Sequence, residues 1–233
     1  MADQTNLEWL RERLKLSLRI EISDPTEILD WLETRRKQVP FTAELIPLRE
    51  VANWQQDDDG NFYNKTGHFF RIEGVRVRSA PGLREIAGWD QPIFTQLEGG
   101  ILALVCRETP HGGIEFLLQA KADPGNVGYL QFCPTIQSTW ENIRGLKGAS
   151  RPLFVELLEA SSKARLIYKS KHNEEGSRFW RKSNENMILF VEDAGQLPVN
   201  DSVYKWASLS QIKQIMLLDN IIGPYVRTVI APL

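Results

Sequence analysis

The sequence predicts an α+β fold, a mixed β-sheet flanked by a few helices. Three observations predict it. From residue 45 the hydrophobic pattern changes to period two and holds through run after run. Two of these runs, GILALVCRE (100–108) and IEFLLQAKA (114–122), are largely apolar and strand-like. Helical patterns are few, at the N-terminus, at 150–160 and at 208–220.

Taken in order, residues 6–20 set Leu7, Leu10, Leu14, Leu16 and Leu18 among charges, an approximately helical pattern. A second helix starts where Asp24 can cap it, Pro25 fits the first turn and Glu27 stands at a capping-box position. Ile28, Trp31 and Leu32 form its apolar face. Residues 1–40 are expected to be a helical segment for docking or dimer contact, and 41–233 the main domain.

Asp57 to Asn61 reads as a turn between two strands. HFFRIEGVRVRS (68–79) is a strand, with Gly74 as the place for a bend. QPIFTQ (91–96) is another. The strands at 100–108 and 114–122 are joined by Thr109-Pro110-His111-Gly112-Gly113, a loop of hairpin composition. YLQFCPTIQST (129–139) follows. SRPLFVELLEA (150–160) reads as a helix with Ser150 as cap and Pro152 in its first turn. ARLIYKSKH (164–172) and RFWRKSNENMILFVED (178–193) are strands around Asn173-Glu174-Glu175-Gly176, and SLSQIKQIMLLDN (208–220) is a helix capped by Ser208 or Ser210.

The totals exclude several classes. The 233 residues carry a net charge of −2, which gives no electrostatic reason for a nucleic-acid or anionic-membrane partner. Cys106 and Cys133 lie in apolar runs and read as buried free thiols. No CxxC pair or Cys/His cluster is present, so no structural zinc is expected. MADQTNLEWLRERL lacks the make-up of a signal peptide, no apolar run reaches membrane-spanning length, and a reducing cytoplasm is the expected location. Dinucleotide-binding and Walker glycine loops, the nucleophile elbow and the acidic Nudix helix are all missing.

Four constellations can carry chemistry. In the first, Gln119, Lys121 and Asp123 share one strand face, followed by Gly125 and Asn126 in a turn. An edge strand with a solvated face is the bland alternative. In the second, Gln131, Thr135, Gln137 and Thr139 alternate with mostly apolar residues, provided Pro134 does not shift the register. Neutral amides and hydroxyls suit a partly buried polar pocket, where charge is costly. A neutral solvent face fits equally well. The third is basic: Lys169, Lys171, Arg178, Arg181 and Lys182, with His172, Trp180, Asn184 and Asn186 among them. It could hold a diphosphate with Trp180 against a base, or be a solvated hairpin. The fourth is GWDQPIFTQLEGG (88–100), where Trp89, Gln91, Gln96 and Glu98 supply an aromatic plate and an acid or base, or a loop whose Trp covers the core edge.

Together, WDQPIFTQLEGGILALV, FLLQAKADPGNVGYLQFCPTIQST, EEGSRFWRKSNENMI and the terminal WASLSQIKQIMLLDN…RTVI resemble the nucleoside-diphosphate-hexose 2,3-dehydratases of deoxysugar biosynthesis. The motifs stand in the family's order over about residues 50–230, and Gln-Ala-Lys-x-x-Pro-Gly-Asn with Pro-Thr-x-Gln-x-Thr is the most specific part. The resemblance implies a Nudix-related fold without metal hydrolysis and no cofactor. It implies a dTDP-linked 4-keto-6-deoxyhexose substrate, dehydrated across C2 and C3, and a downstream 3-ketoreductase as pathway partner. Family members are typically tandem duplications, whereas this sequence holds one copy, so a homodimer imitating the duplicated form is expected.

Under that resemblance Lys121 is the expected oxyanion donor or proton shuttle, and Asp123 or Glu98 the base, with His68 in reserve. Gln131, Thr135 and Gln137 are expected to grip the sugar, alongside Gln96, Gln119, Asn126 and Asn186. Arg71, Arg178 and Lys182 are expected on the diphosphate, with Trp89 or Trp180 on the base. A non-catalytic sugar-nucleotide-binding subunit that needs a sister chain is the alternative of a different class. A Nudix-like pyrophosphatase is disfavoured by the missing acidic helix.

Overall fold

The structure, a computed structural model, describes residues 4–19, 23–80, 82–96, 98–145, 151–159 and 163–233. Helices α1 (Gln4–Ser17) and α2 (Thr26–Gln38) come first. A small antiparallel sheet follows, in the order β1 (Trp54–Gln56), β2 (Phe62–Asn64), β3 (Arg71–Arg78), β4 (Gly88–Thr95). The large mixed sheet contains β5 (Gly100–Glu108), β6 (Ile114–Ala122), β7 (Leu130–Cys133), β8 (Ile136–Thr139), β9 (Ala164–His172), β10 (Asn184–Val191) and β11 (Tyr204–Ser208). Its path is β11-β6-β5-β10-β9, with β5 and β10 parallel and the other pairs antiparallel. Helices α3 (Trp140–Ile143), α4 (Leu209–Ile215) and α5 (Pro224–Ile230) complete the α+β architecture.

The sheet has an apolar layer on each face, which is why β5 is buried on both sides. Leu102, Leu104 and Cys106 point to one layer, together with Leu10 and Leu14 of α1, Ile28 and Leu32 of α2, Ile212 of α4 and Val226 of α5. Ile101, Ala103 and Val105 point to the other, against Phe154, Val155, Leu189 and Tyr204. The apolar faces of α1 and α2 therefore pack on the same core as the sheet. The Asp24 carboxylate accepts from the Thr26 amide at 2.9 Å and the Thr26 hydroxyl at 2.6 Å, and these bonds hold its pKa below the usual carboxylate value. Ser208 and Gln211 form a capping box on α4.

Three sequence expectations are corrected. The helix expected over 150–160 is a 3-10 turn, Val155–Leu158, preceded by Phe154 at φ 68°; Ser150 lies outside the described residues. The strand expected over 178–193 begins only at Asn184, because the chain before it bonds sideways to the small sheet. Phe94 N–H donates to the Arg178 carbonyl and Trp180 N–H to the Phe94 carbonyl, both at 2.8 Å. The helix expected over 208–220 ends at Ile215, and α5 and β11 were not foreseen.

The feature that shapes the site is a fork in the large sheet. β5 and β6 pair from Glu108↔Ile114 to Val105↔Leu117 and then part. Beyond the fork β5 pairs with β8 (Ala103↔Ile136 to Gly100↔Thr139), and β6 pairs with β7 (Gln119↔Cys133 to Ala122↔Leu130). The expected single strand 129–139 is thus two, split at Pro134, which has no N–H to give a ladder. Thr135 sits at the crotch. Its hydroxyl accepts from the Val105 amide at 2.9 Å and donates to the Leu117 carbonyl, standing between two groups that would otherwise bond each other. α5 packs between the arms, against β5, β7 and β10.

Candidate functional site

A cleft of about 170 Å³ opens in the fork. Lys121 enters from β6, and Gln137, Ser138 and Thr139 from β8. Lys182 and Asn184 close it from the start of β10, Tyr225 from α5 and Asn142 from α3. The Lys121 ammonium donates to the Gln137 carbonyl at 3.1 Å, so it bridges the two arms. Gln137 itself lines the cleft, and its buried side-chain Oε1 has no hydrogen-bond partner among the described residues. An unmet buried acceptor costs about 1–3 kcal/mol, which a ligand donor would relieve.

Asp123 lies two residues beyond Lys121, just past the end of β6. Its negative charge acts on Cys133 and Tyr225. Burial pushes the Cys133 thiol to about 12; Asp123 pushes it further up and Lys121 pulls it down. Gln131 is buried opposite Lys121 across β6–β7, and Gln119 stands opposite Cys133. Lys121, Asp123, Gln131, Gln137 and Lys182 are thus held on or next to the two arms and the β10 edge.

Other expected residues are placed differently. The Thr135 hydroxyl is occupied at the crotch. Asn186 is fully buried, donating to Glu174 at 2.7 Å and accepting from the Thr228 hydroxyl at 2.9 Å. Asn126 donates to the Tyr129 carbonyl at 3.1 Å and pins the turn before β7. Glu98 is ion-paired with Arg144. His68 sits in the β2–β3 connection of the small sheet, away from the strands that build the fork.

A second group gathers on the small sheet. Arg71, Gln96 and Trp180 line a hollow of about 480 Å³. Trp89 and Trp180 line an adjoining hollow of about 540 Å³ with Leu83 and Arg84. Arg71 already pairs with Asp57 at 2.8 Å and lies 5.4 Å from the Tyr63 ring centroid. Arg178 is exposed and lies 3.6 Å from Glu175. Trp180 and Lys182 are two residues apart, a chain span of about 7 Å, so the hollow and the fork cleft are neighbours along one segment.

Three residues around the cleft, Glu174, Glu175 and Tyr225, escaped the sequence reading of the site. Glu174 accepts from Asn184 at 2.8 Å and from Asn186 at 2.7 Å. Tyr225 donates to Glu175 at 2.7 Å. Burial, that hydrogen bond and the charges of Glu175, Glu174 and Asp123 all raise the phenol's pKa. Asn184 accepts from the Gly100 amide at 2.9 Å and so fastens β10 to the entry of β5. Glu174 and Glu175 read as hairpin-turn residues; their other roles come from Asn184 and Asn186 across the hairpin and from Tyr225, fifty residues on.

Two ammoniums, of Lys121 and Lys182, set among amides, hydroxyls and a phenol make a site suited to a polar, hydroxyl-rich ligand. Among the described residues, no group of three or more His, Cys, Asp or Glu could hold a metal ion, and no helix is long and apolar enough to cross a membrane. The chain belongs to the NDP-hexose 2,3-dehydratase family, whose model matches residues 25–233. It is 33% identical over 207 residues to a dTDP-4-dehydro-6-deoxy-alpha-D-glucopyranose 2,3-dehydratase of Saccharopolyspora spinosa, covering 88% of this chain and 41% of that protein. It is 34% identical over 212 residues to the enzyme of the same name from Amycolatopsis orientalis, covering 88% and 44%. The chain therefore spans less than half the length of these curated relatives. Among solved structures, a C. elegans Ap4A hydrolase aligns at 14% identity and a TM-score of 0.35, over 58% of this chain and 96% of that one, an overlap too shallow to argue from.

Proposed function

We propose that the chain dehydrates a nucleoside-diphosphate-linked 4-keto-6-deoxyhexose across C2 and C3, with dTDP as the nucleotide. The observation that carries this reading is the fork cleft, where the Lys121 ammonium is held by the main-chain carbonyl of Gln137, a residue whose buried side-chain Oε1 is unmet among the described residues. Membership of the family supports the reaction class.

The hydrogen on C3 is alpha to the C4 ketone. A base removes it, the electron pair moves into an enolate at the C4 oxygen, and the enolate expels the C2 hydroxyl, which takes up the proton carried by the base and leaves as water. Lys121 is the donor to the enolate oxygen, and a well-aimed donor of this kind supplies about 3 kcal/mol. Asp123 is the base, a role worth about 10²–10⁴-fold. Gln131 and Gln137 orient the sugar. Lys182 holds the diphosphate between the cleft and the Trp180 hollow, where the base stacks with Arg71 and Gln96 around it. Glu98, bound to Arg144, and His68, in the small sheet, have weaker claims to the base role.

A second family unit beside this one belongs to the same reading, since the matched relatives are about twice as long. A second copy of this chain would supply it, with the exposed Leu16 and Leu18 at the end of α1 as contact residues, and a 3-ketoreductase would consume the product. Light scattering on the purified protein checks the copy number; a monomer that turns over would remove the pairing.

Lys121→Met tests the site. Turnover of the 4-keto sugar nucleotide is expected to vanish while dTDP binding, measured by calorimetry, is kept. Retained turnover would take Lys121 out of the mechanism.

A further inference from the structure

Tyr225 holds the only phenol among the residues lining the fork cleft, and its position is fixed from behind. Its hydroxyl donates to Glu175 Oε2 at 2.7 Å. The Glu175 carbonyl accepts from the amides of Arg178 and Phe179, both at 2.9 Å, so the carboxylate stands on a closed turn. A second tether ties the same helix to the same loop. Thr228 of α5 reaches Asn186, which donates to Glu174. Glu174 has both carboxylate oxygens engaged by Asn184 and Asn186. Glu175 has one oxygen on Tyr225 and its other 3.6 Å from exposed Arg178.

The direction of the hydrogen bond limits what Tyr225 can do. Its proton already points to Glu175, so toward the cleft its oxygen presents lone pairs and can only accept. A substrate hydroxyl seated there would donate to Tyr225, and Tyr225 to Glu175, forming a continuous chain for one proton.

We propose that Tyr225 and Glu175 form a proton relay that takes up the proton of the sugar's 3-hydroxyl. The proposal rests on the dehydration reading above. Loss of the C3 hydrogen and the C2 oxygen leaves an enol, with the hydroxyl on C3 and the double bond between C2 and C3. To become the 3,4-diketone, the O3–H bond breaks and a new O–H bond forms on Tyr225. The former Tyr225 proton passes to the Glu175 carboxylate. The O3–H electron pair becomes the C3 carbonyl, and the double-bond pair takes a proton from water at C2. Glu175 returns its proton to solvent. Phenol and carboxylate keep their net charges over a full turnover.

Tyr225→Phe and Glu175→Gln test the relay, with the 4-keto sugar nucleotide followed by proton NMR so that substrate loss and diketone formation are timed separately. Both variants are expected to consume substrate within a few-fold of the unmodified protein. Both are expected to form diketone about 10²-fold more slowly, with the C2 vinyl proton of the enol building up. The double variant is expected to be no slower than either single one, because the two residues act as a unit. Glu175→Gln keeps the ring and so guards against a folding failure in the other variant. Diketone appearing at the unmodified rate would overturn the relay. So would substrate consumption falling as far as diketone formation, which would place the residues at an earlier step or in the fold. If the unmodified protein leaves the sugar intact, the dehydration reading falls and takes the relay with it.

Discussion

Thr135 brings one hydroxyl to a place where two backbone groups have lost each other. The Val105 amide and the Leu117 carbonyl are buried and part of a strand pair that is opening, and the hydroxyl serves both. Thr135→Val keeps the volume and removes both bonds. Each buried group left unmet costs about 1–3 kcal/mol, so the urea midpoint is expected to fall accordingly. An unchanged midpoint would mean the strands close over the gap. Periodicity placed Thr135 on one face with Gln131 and Gln137, an inference that assumed an unbroken strand. Pro134 breaks it, and Gln131 ends on one arm of the fork with Gln137 on the other. The odd density of neutral polar residues was legible; which of them serve the fold and which meet the cleft depends on contacts that no local pattern encodes. Lys121 was legible because it alternates with Gln119 and Asp123 inside the Gln-Ala-Lys-x-x-Pro-Gly-Asn motif. Tyr225 was not, since its partner Glu175 is fifty residues away.

At the scale of elements, the fork requires three strands to crowd at one entry. Gly100 opens β5 where β8 lies close enough that an added Cβ would collide with the Ser138 carbonyl oxygen. A Cβ on Gly99 would meet the Ser183 carbonyl in the same way, just ahead of β10. The two glycines are there for close approach rather than for an unusual φ. Gly100→Ala is expected to push β8 away, lower stability by about 1–3 kcal/mol and weaken ligand binding, since the cleft is built on that spacing. Thermal unfolding with and without dTDP reads both effects; full retention of each would mean the arms tolerate the shift. The long strands β5, β6 and β9 were readable because each carries an apolar run and ends at a turn rich in Pro, Gly, Asn or Asp. β11 and α5 have five and seven residues, too short for a period to register. Residues 178–183 had strand composition, and tertiary bonds to Phe94 took them elsewhere.

At the scale of the molecule, the helices α1 and α2 are built into the core that backs the site. Leu10 and Leu32 are fully buried, in one cluster with Phe116, Phe132 and Val226. Trp31 stacks on Phe132 of β7 with ring centroids 5.8 Å apart, so α2 supports one arm of the fork directly. Leu10→Ala is expected to cost about 2–5 kcal/mol in denaturant unfolding. A cost near zero would mean α1 is an appendage. The sequence's amphipathic pattern announced the helices; which surface their apolar faces cover depended on the fold of the whole chain. The small sheet, the 174–184 segment and the fork then bring an aromatic hollow and a polar cleft to Trp180 and Lys182, two residues apart in sequence.

The most direct test is to incubate the purified chain with the dTDP-linked 4-keto-6-deoxy sugar and a 3-ketoreductase, and to assay for a 2-deoxy sugar nucleotide. The account predicts that product from the chain alone, and none from Lys121→Met. Unaltered sugar nucleotide at concentrations where dTDP is bound would contradict it, and product appearing only when a sister chain is added would recast this one as a binding subunit.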